Sequence, residues 1–257
     1  MLVKHDIYFS YAREKRTLFI WLPDDYYAPG NDERYAVMYM WDGQNMFYDA
    51  EATYGKSWDM APYLKGWWKS MIVVGMQCAH TDRQRCEEYC PYPVAIGEAG
   101  LLEGHAEETM KWVRKVVKPC IDSNYRTNPS REATGVGGSS MGGMMSFYAI
   151  LRHNDIFSKA AVMSPPVSTS QQYYLEDIRR SKLNPDTRII FTWGENEWGE
   201  RSPWEKKVER CILELQSTVK KVQPACRTFA LRQEGGAHNE ASWARLVPGM
   251  MRFLWEG

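Results

Sequence analysis

No stretch of the 257-residue chain approaches the ~18 consecutive apolar residues of a membrane span. The opening, MLVKHDIYFSYAREK, meets charges at once and lacks the apolar core of a signal peptide. Charge of one sign is also missing: 32 basic and 32 acidic residues leave a formal net charge of zero, with no long block of either. Nucleic acid and anionic membrane both need a concentrated basic face, so neither is expected as a partner. No internal repeat, low-complexity tract or Pro/Gly/Ser-rich linker divides the chain. The expectation is a soluble, cytoplasmic protein with residues 1–257 in one domain. A chain of this size buries about three quarters of the surface it exposes unfolded. A homo-oligomer is compatible with the same reading.

Cysteine is sparse. Six residues scattered over the chain fit reduced thiols better than a disulfide framework. Cys78, His80, Cys86 and Cys90, in CAHTDRQRCEEYCPYP, offer soft ligands close together, but they lack the C-x2-C knuckles of structural zinc sites. No metal is expected, and no other cofactor.

What is present is an alternation of strand and helix patterns. DIYFSYA and RTLFIWLP read as an opening hairpin. RYAVMYMWDG and SMIVVGMQ are short apolar runs ending in turn residues, the pattern of strands buried on both faces. In EGHAEETMKWVRKVVKPCIDSNY, apolar residues recur at helical spacing, and Pro119 predicts a kink. Further strands are expected in REATGVGGS, FSKAAVMSPP, from about Arg188 into IIFTWGENE, and in CRTFALRQEGG. The helices between and after them are MGGMMSFYAILRH, PWEKKVERCILELQSTVKKV and SWARLVPGMMRFLW. The fold class is therefore α/β, with a mostly parallel central sheet of roughly eight strands and helices on both faces. Chemistry in such sheets sits at the carboxyl ends of the strands.

At one strand-to-helix junction, Gly138-Ser139-Ser140-Met141-Gly142 fits G-x-S-x-G. A strand that turns sharply into a helix forces the central residue into a strained conformation, and side chains two residues either side would collide. Gly138 and Gly142 meet that demand around Ser140; centred on Ser139, the motif would put Met141 at a position that must be small. The pattern alone arises by chance in roughly a tenth of chains this long. Its place between an apolar strand and an all-round apolar helix gives it weight, and Ser140 is the expected nucleophile.

A serine hydroxyl needs a neighbouring base. Of His5, His80, His105, His153 and His238, only His238 follows the last predicted strand and leads into the final helix. The acid that orients such a base belongs between Ser140 and His238, beyond a strand's carboxyl end. IIFTWGENEWGE offers Glu195, Glu197 and Glu200 there; Glu197 is preferred, with Glu195 the alternative. The oxyanion donors expected are the N–H of Met141 and one from Gly43 or Gln44, in WDGQNMF. Among eleven tryptophans, Trp41, Trp193 and Trp198 flank these loops, as pocket wall or as core.

MYMWDGQNMF, EEYCPYP, KPCIDSNYRT, GVGGSSMGGMMSFYAILRHNDIFSKAAVMSP, GENE and GAHNEASW together resemble the esterase family. That family includes esterase D, the enterochelin esterases, and the acetyl and feruloyl esterases of the first carbohydrate esterase family. The resemblance covers roughly residues 10–255. It implies an α/β-hydrolase fold and a serine triad that cleaves carboxylic esters without a cofactor. Position by position it supports Ser140, His238 and the fourth residue of GENE, Glu197, where many relatives carry aspartate. The implied partner is a small-molecule or carbohydrate-linked ester, with an acetyl, feruloyl or short-chain acyl group. Two alternatives stand beside it: an acyltransferase on the same triad, and a binding protein on a catalytically dead hydrolase fold.

Overall fold

The apolar runs become strands and set the frame for everything that follows. In the computed structural model, which describes residues 1–95, 100–197, 199 and 203–256, β1 (Leu2–Phe9) and β2 (Glu14–Trp21) pair antiparallel as the expected hairpin. β3 (Ala36–Trp41) and β4 (Met71–Met76) are rich in valine and methionine and almost wholly buried, as strands covered on both faces must be. A short antiparallel pair, β5 (Val94–Ala95) and β6 (Leu101–Leu102), stands apart from the main sheet. The remaining strands are β7 (Thr134–Ser139), β8 (Lys159–Met163), β9 (Arg188–Asn196) and β10 (Arg227–Ala237).

Eight strands join in the order β1-β2-β4-β3-β7-β8-β9-β10. β2 runs antiparallel to β1 and β4, and all later neighbours are parallel. The helices among the described residues are α1 (Met60–Gly66), α2 (Asp82–Tyr89), α3 (Ala106–Trp112), α4 (Lys118–Asn124), α5 (Met141–Arg152), α6 (Gln171–Arg180), α7 (Pro203–Val222) and α8 (Glu240–Trp255). They cover the sheet in two layers. One apolar layer gathers residues of α3 to α7, such as Met110, Phe147, Tyr174 and Ile212. The other gathers Met60 and Leu64 of α1 with Trp243, Val247 and Leu254 of α8. This is the mostly parallel α/β architecture that the sequence predicts. No helix among the described residues is long and apolar enough to cross a membrane.

Two local details depart from expectation. The chain stays helical from α3 into α4 through a π turn at Val113–Val117, and Pro119 follows just after that turn. The wider i→i+5 turn accommodates a residue that has no N–H to donate to the preceding turn. The second is α2, which the sequence did not announce. Its eight residues, DRQRCEEY, carry no apolar stripe; Thr81 caps it, its hydroxyl accepting from the Gln84 N–H at 3.3 Å. Its place is fixed by Glu88, buried against Arg16 at 2.7 Å, and by Tyr89, buried in the core beside Trp41.

Candidate active site

β7 ends at Ser139 and α5 begins at Met141, leaving Ser140 between them at φ 55°, ψ −125°. Few residues with a side chain occupy that conformation. Here the neighbours hold it: the Ser140 N–H donates to the Met163 carbonyl at 2.9 Å, and the Ser140 carbonyl accepts from the Met144 N–H at 3.1 Å. The small positions are small for steric reasons. A Cβ on Gly138 or Gly142 would lie 3.0 Å from the Trp41 Cβ. A Cβ on Gly143 would lie 2.6 Å from the Met163 carbonyl oxygen, on backbone that has nowhere to go. Gly143, outside the five-residue motif, is therefore the tightest glycine of the turn.

β9 carries the chain to Asn196, and Glu197 follows, 7% exposed. Its Oε2 lies 2.5 Å from Nδ1 of His238. Its Oε1 accepts from the Ser164 hydroxyl and the Gly194 N–H, each at 2.5 Å. Burial pushes the Glu197 carboxyl up, but the hydrogen bond and charge of His238, with the bonds from Ser164 and Gly194, hold it below the ordinary range. A carboxylate accepts only, so Nδ1 carries the hydrogen and Nε2 is the nitrogen able to take a proton. The Trp243 ring stands edge-on to the imidazole at 5.1 Å, and its Nε1–H donates to Ser164 at 2.8 Å. Glu195 turns the other way, to Arg232 at 3.0 Å and the Gly235 N–H at 3.0 Å. Glu200 and Trp198 lie outside the described residues.

Ser140 and His238 line one cavity of about 550 Å³. Its other walls mix charged and polar side chains, among them Asp42, Gln44, His80, Arg85 and Glu240, with Tyr54, Cys78, Ala79 and Trp243. Arg85 of α2 grips Asp42 with both arms, Nε to Oδ1 at 2.6 Å and Nη2 to Oδ2 at 2.7 Å. Asp42 is itself left-handed, at φ 56°. Next to it, Gly43 lies so close to β4 that a Cβ would be 2.2 Å from the Gly75 carbonyl carbon. Gln44 is tied by its amide to Cys78 Sγ at 3.1 Å and Thr53 at 3.2 Å. The candidate donor loop is thus locked from both sides. Met141 opens α5 directly beside Ser140, where helix N–H groups are without intrahelical partners. Glu240 opens α8 and accepts from Asn45 at 3.2 Å; burial, then the Asp42 charge, pushes its carboxyl up.

The structure brings Ser140, Glu197, His238, Met141 and the Gly43–Gln44 loop together. It does not give Trp41 and Trp193 to the cavity. Trp41 is 1% exposed and packs on Gly138, Gly142 and the Tyr89 ring at 5.3 Å; Trp193 is core on β9. Trp41 supports the serine turn from beneath instead of walling the cavity. Among the described residues Trp243 is the tryptophan that lines the cavity, and the HNEASW segment around it was the available signal. Sequence reasoning also missed Ser164, Asp42–Arg85 and Glu240. The cysteine–histidine cluster does not converge: Cys90 Sγ donates to the Tyr92 carbonyl at 3.1 Å, and burial pushes the Cys78 thiol up to about 12. No three His, Cys, Asp or Glu side chains gather as metal ligands among the described residues.

The chain is 21% identical over 212 residues to the uncharacterized protein YbbA of Bacillus subtilis (strain 168), covering 80% of this chain and 78% of that one. An IroE-like serine hydrolase from Shewanella oneidensis superposes with a TM-score of 0.78 at 18% identity, over 97% of this chain and 79% of that one. The siderophore hydrolase EstA from Aspergillus nidulans gives 0.75 at 14% identity, over 98% and 95%. Likeness at such identities is likeness of fold, here the α/β-hydrolase sheet. The model of the family described as "Putative esterase" matches residues 10–254, from the first hairpin through the serine turn to the histidine segment and the last helix. The chain belongs to that esterase family, and it is an ester-hydrolysing enzyme.

Proposed function

We propose that the protein is a serine carboxylesterase working through an acyl-enzyme on Ser140. One observation carries the reading: a carboxylate–imidazole pair, Glu197 and His238 at 2.5 Å, shares a cavity with a serine held at positive φ on a strand-to-helix turn. Ser140 Oγ attacks the ester carbonyl carbon while His238 Nε2 takes its proton. The carbonyl oxygen becomes an oxyanion, stabilised by the N–H of Met141 and one from Gly43–Gln44, each worth about 3 kcal/mol at the transition state. The carbon–oxygen bond to the alcohol then breaks, and His238 returns the proton to the departing oxygen. Water repeats the sequence on the acyl-serine, and Glu197 stabilises the imidazolium in both halves.

The residues need no cofactor for this chemistry. The charged and polar side chains in the cavity support an alcohol portion rich in hydroxyl or amide groups, such as a sugar, carrying an acetyl, feruloyl or other short acyl group. A structural neighbour that is a siderophore hydrolase is in keeping with a polar ester. Six unbridged thiols fit a reducing, cytoplasmic setting. The test is hydrolysis of p-nitrophenyl esters from acetate to octanoate, with methyl ferulate alongside, by wild type and Ser140→Ala, together with fluorophosphonate labelling. Labelling and activity that vanish together in Ser140→Ala bear the mechanism out. Equal activity in both proteins would remove Ser140 as nucleophile.

A further inference from the structure

A second cavity, of about 420 Å³, lies at the same turn and differs in chemistry. Met141 and Met144 of α5, Val94 and Leu102 of the β5–β6 pair, and Trp204 and Val208 of α7 line it, and none of its described lining residues is charged. The Ser140 cavity, by contrast, holds Asp42, Asp82, Arg85 and Glu240.

The direction of proton transfer distributes the two halves of an ester between them. His238 must reach the leaving oxygen to protonate it, so the alcohol departs on the histidine side. His238 lines the polar cavity and not the apolar one. The carbonyl carbon on Ser140 has one other substituent, the acyl chain, and tetrahedral geometry sends it away from the alcohol. The residue next to Ser140 on that course is Met141, whose N–H is the oxyanion donor and whose side chain is wall of the apolar cavity. Ser168 stands half-buried at the rim.

We propose that this cavity is the acyl subsite and that the natural substrate joins an apolar acyl group, an aromatic ring or a medium alkyl chain, to a polar alcohol. The proposal rests on the serine-esterase reading above. It makes acetate a poor acyl group: each methylene buried in an apolar site favours binding by about fourfold, and an acetyl group leaves the cavity empty. In the Ser140 cavity an apolar chain would gain less, because the charged and polar groups beside its apolar walls would lose water without a partner.

The experiment compares kcat/KM on p-nitrophenyl acetate and octanoate and on methyl ferulate for wild type, Ser168→Trp, Ser168→Ala and Trp204→Ala. Wild type is expected to prefer octanoate and ferulate. Ser168→Trp fills the cavity from its rim and lowers the octanoate-to-acetate ratio by about tenfold or more. Ser168→Ala, which adds no bulk, does not lower the ratio, and Trp204→Ala lowers it less than Ser168→Trp. A wild-type preference for acetate, or a Ser168→Trp effect equal across the series, overturns the acyl assignment while leaving the serine mechanism intact. Activity retained in Ser140→Ala overturns the mechanism itself.

Discussion

Glu197 reaches Nδ1 of His238 at 2.5 Å, while Glu195, two residues earlier on the same strand end, pairs with Arg232 at 3.0 Å on the exposed side. Two carboxylates of nearly identical sequence context therefore face opposite environments. Glu197→Gln keeps the shape but loses the charge opposite the imidazolium, and kcat falls by about 10³- to 10⁴-fold. Glu195→Gln changes kcat by less than about twofold. Steady-state rates on one ester with both variants decide it, and the reverse ranking would reassign the acid.

Gly143 is predicted to be the least replaceable glycine of the turn. A Cβ there meets the Met163 carbonyl oxygen at 2.6 Å, and that carbonyl is the one holding the Ser140 N–H. Gly143→Ala destabilises by about 3 kcal/mol and lowers activity as well, because the β8 end must move. Gly249→Ala, inside α8 with nothing within 4 Å of its Cβ, is a matched control and stabilises by about 0.5–1 kcal/mol. Urea unfolding of the two variants gives the comparison; similar midpoints would show that β8 yields easily.

The frame and the triad positions were legible because both depend on local pattern. Short apolar runs, an all-round apolar α5 and turn residues at strand ends fix the sheet, and the sheet's carboxyl edge sorts one histidine and one loop of glutamates from the rest. What stayed hidden depends on contacts distant in sequence. α2 has no apolar stripe to reveal it; Arg85 on Asp42 and Glu88 on Arg16 secure it. The tryptophans misled for a different reason. β3 and β9 are buried on both faces, so alternation gives Trp41 and Trp193 no direction. Trp243 is fixed by helix phase in α8, but nothing local says which face of α8 meets the loop after β9.

Ser164 is predicted to act through Glu197. Its hydroxyl donates to Oε1 at 2.5 Å and accepts from Trp243 Nε1 at 2.8 Å, so it bridges the two groups that hold His238. The folded Glu197 carboxyl lies below its ordinary value, against the upward push of burial, because His238, Ser164 and Gly194 all favour the ionised form. Its stabilising contribution is therefore full above the unfolded carboxyl range and is lost as pH falls through the folded value. Ser164→Ala weakens that contribution. Expected are a deficit of about 2 kcal/mol at neutral pH that shrinks towards pH ~3, and a kcat about tenfold lower. A deficit independent of pH would reduce Ser164 to packing.

Lys159 makes the opposite case, at the other end of the sheet. Its ammonium donates to the Glu132 carbonyl at 2.6 Å and the Ser158 hydroxyl at 2.8 Å, and it lies 4.7 Å from the centre of the Trp255 ring. Burial, and after it the charge of Arg188, bring the amine down to about 8 from an ordinary 10.5. Below pH 8 folded and unfolded chains both hold the proton, and the cost of burying it is complete. Between 8 and 10.5 the unfolded chain binds more protons than the folded one, so folding gains stability as pH rises. Lys159→Met removes the titrating group. Relative to that variant, wild type should gain more than about 1 kcal/mol between neutral pH and pH ~10, read from urea unfolding at both. A constant difference would mean that the carbonyl, the hydroxyl and the indole face compensate the charge fully, and that the amine stays protonated throughout.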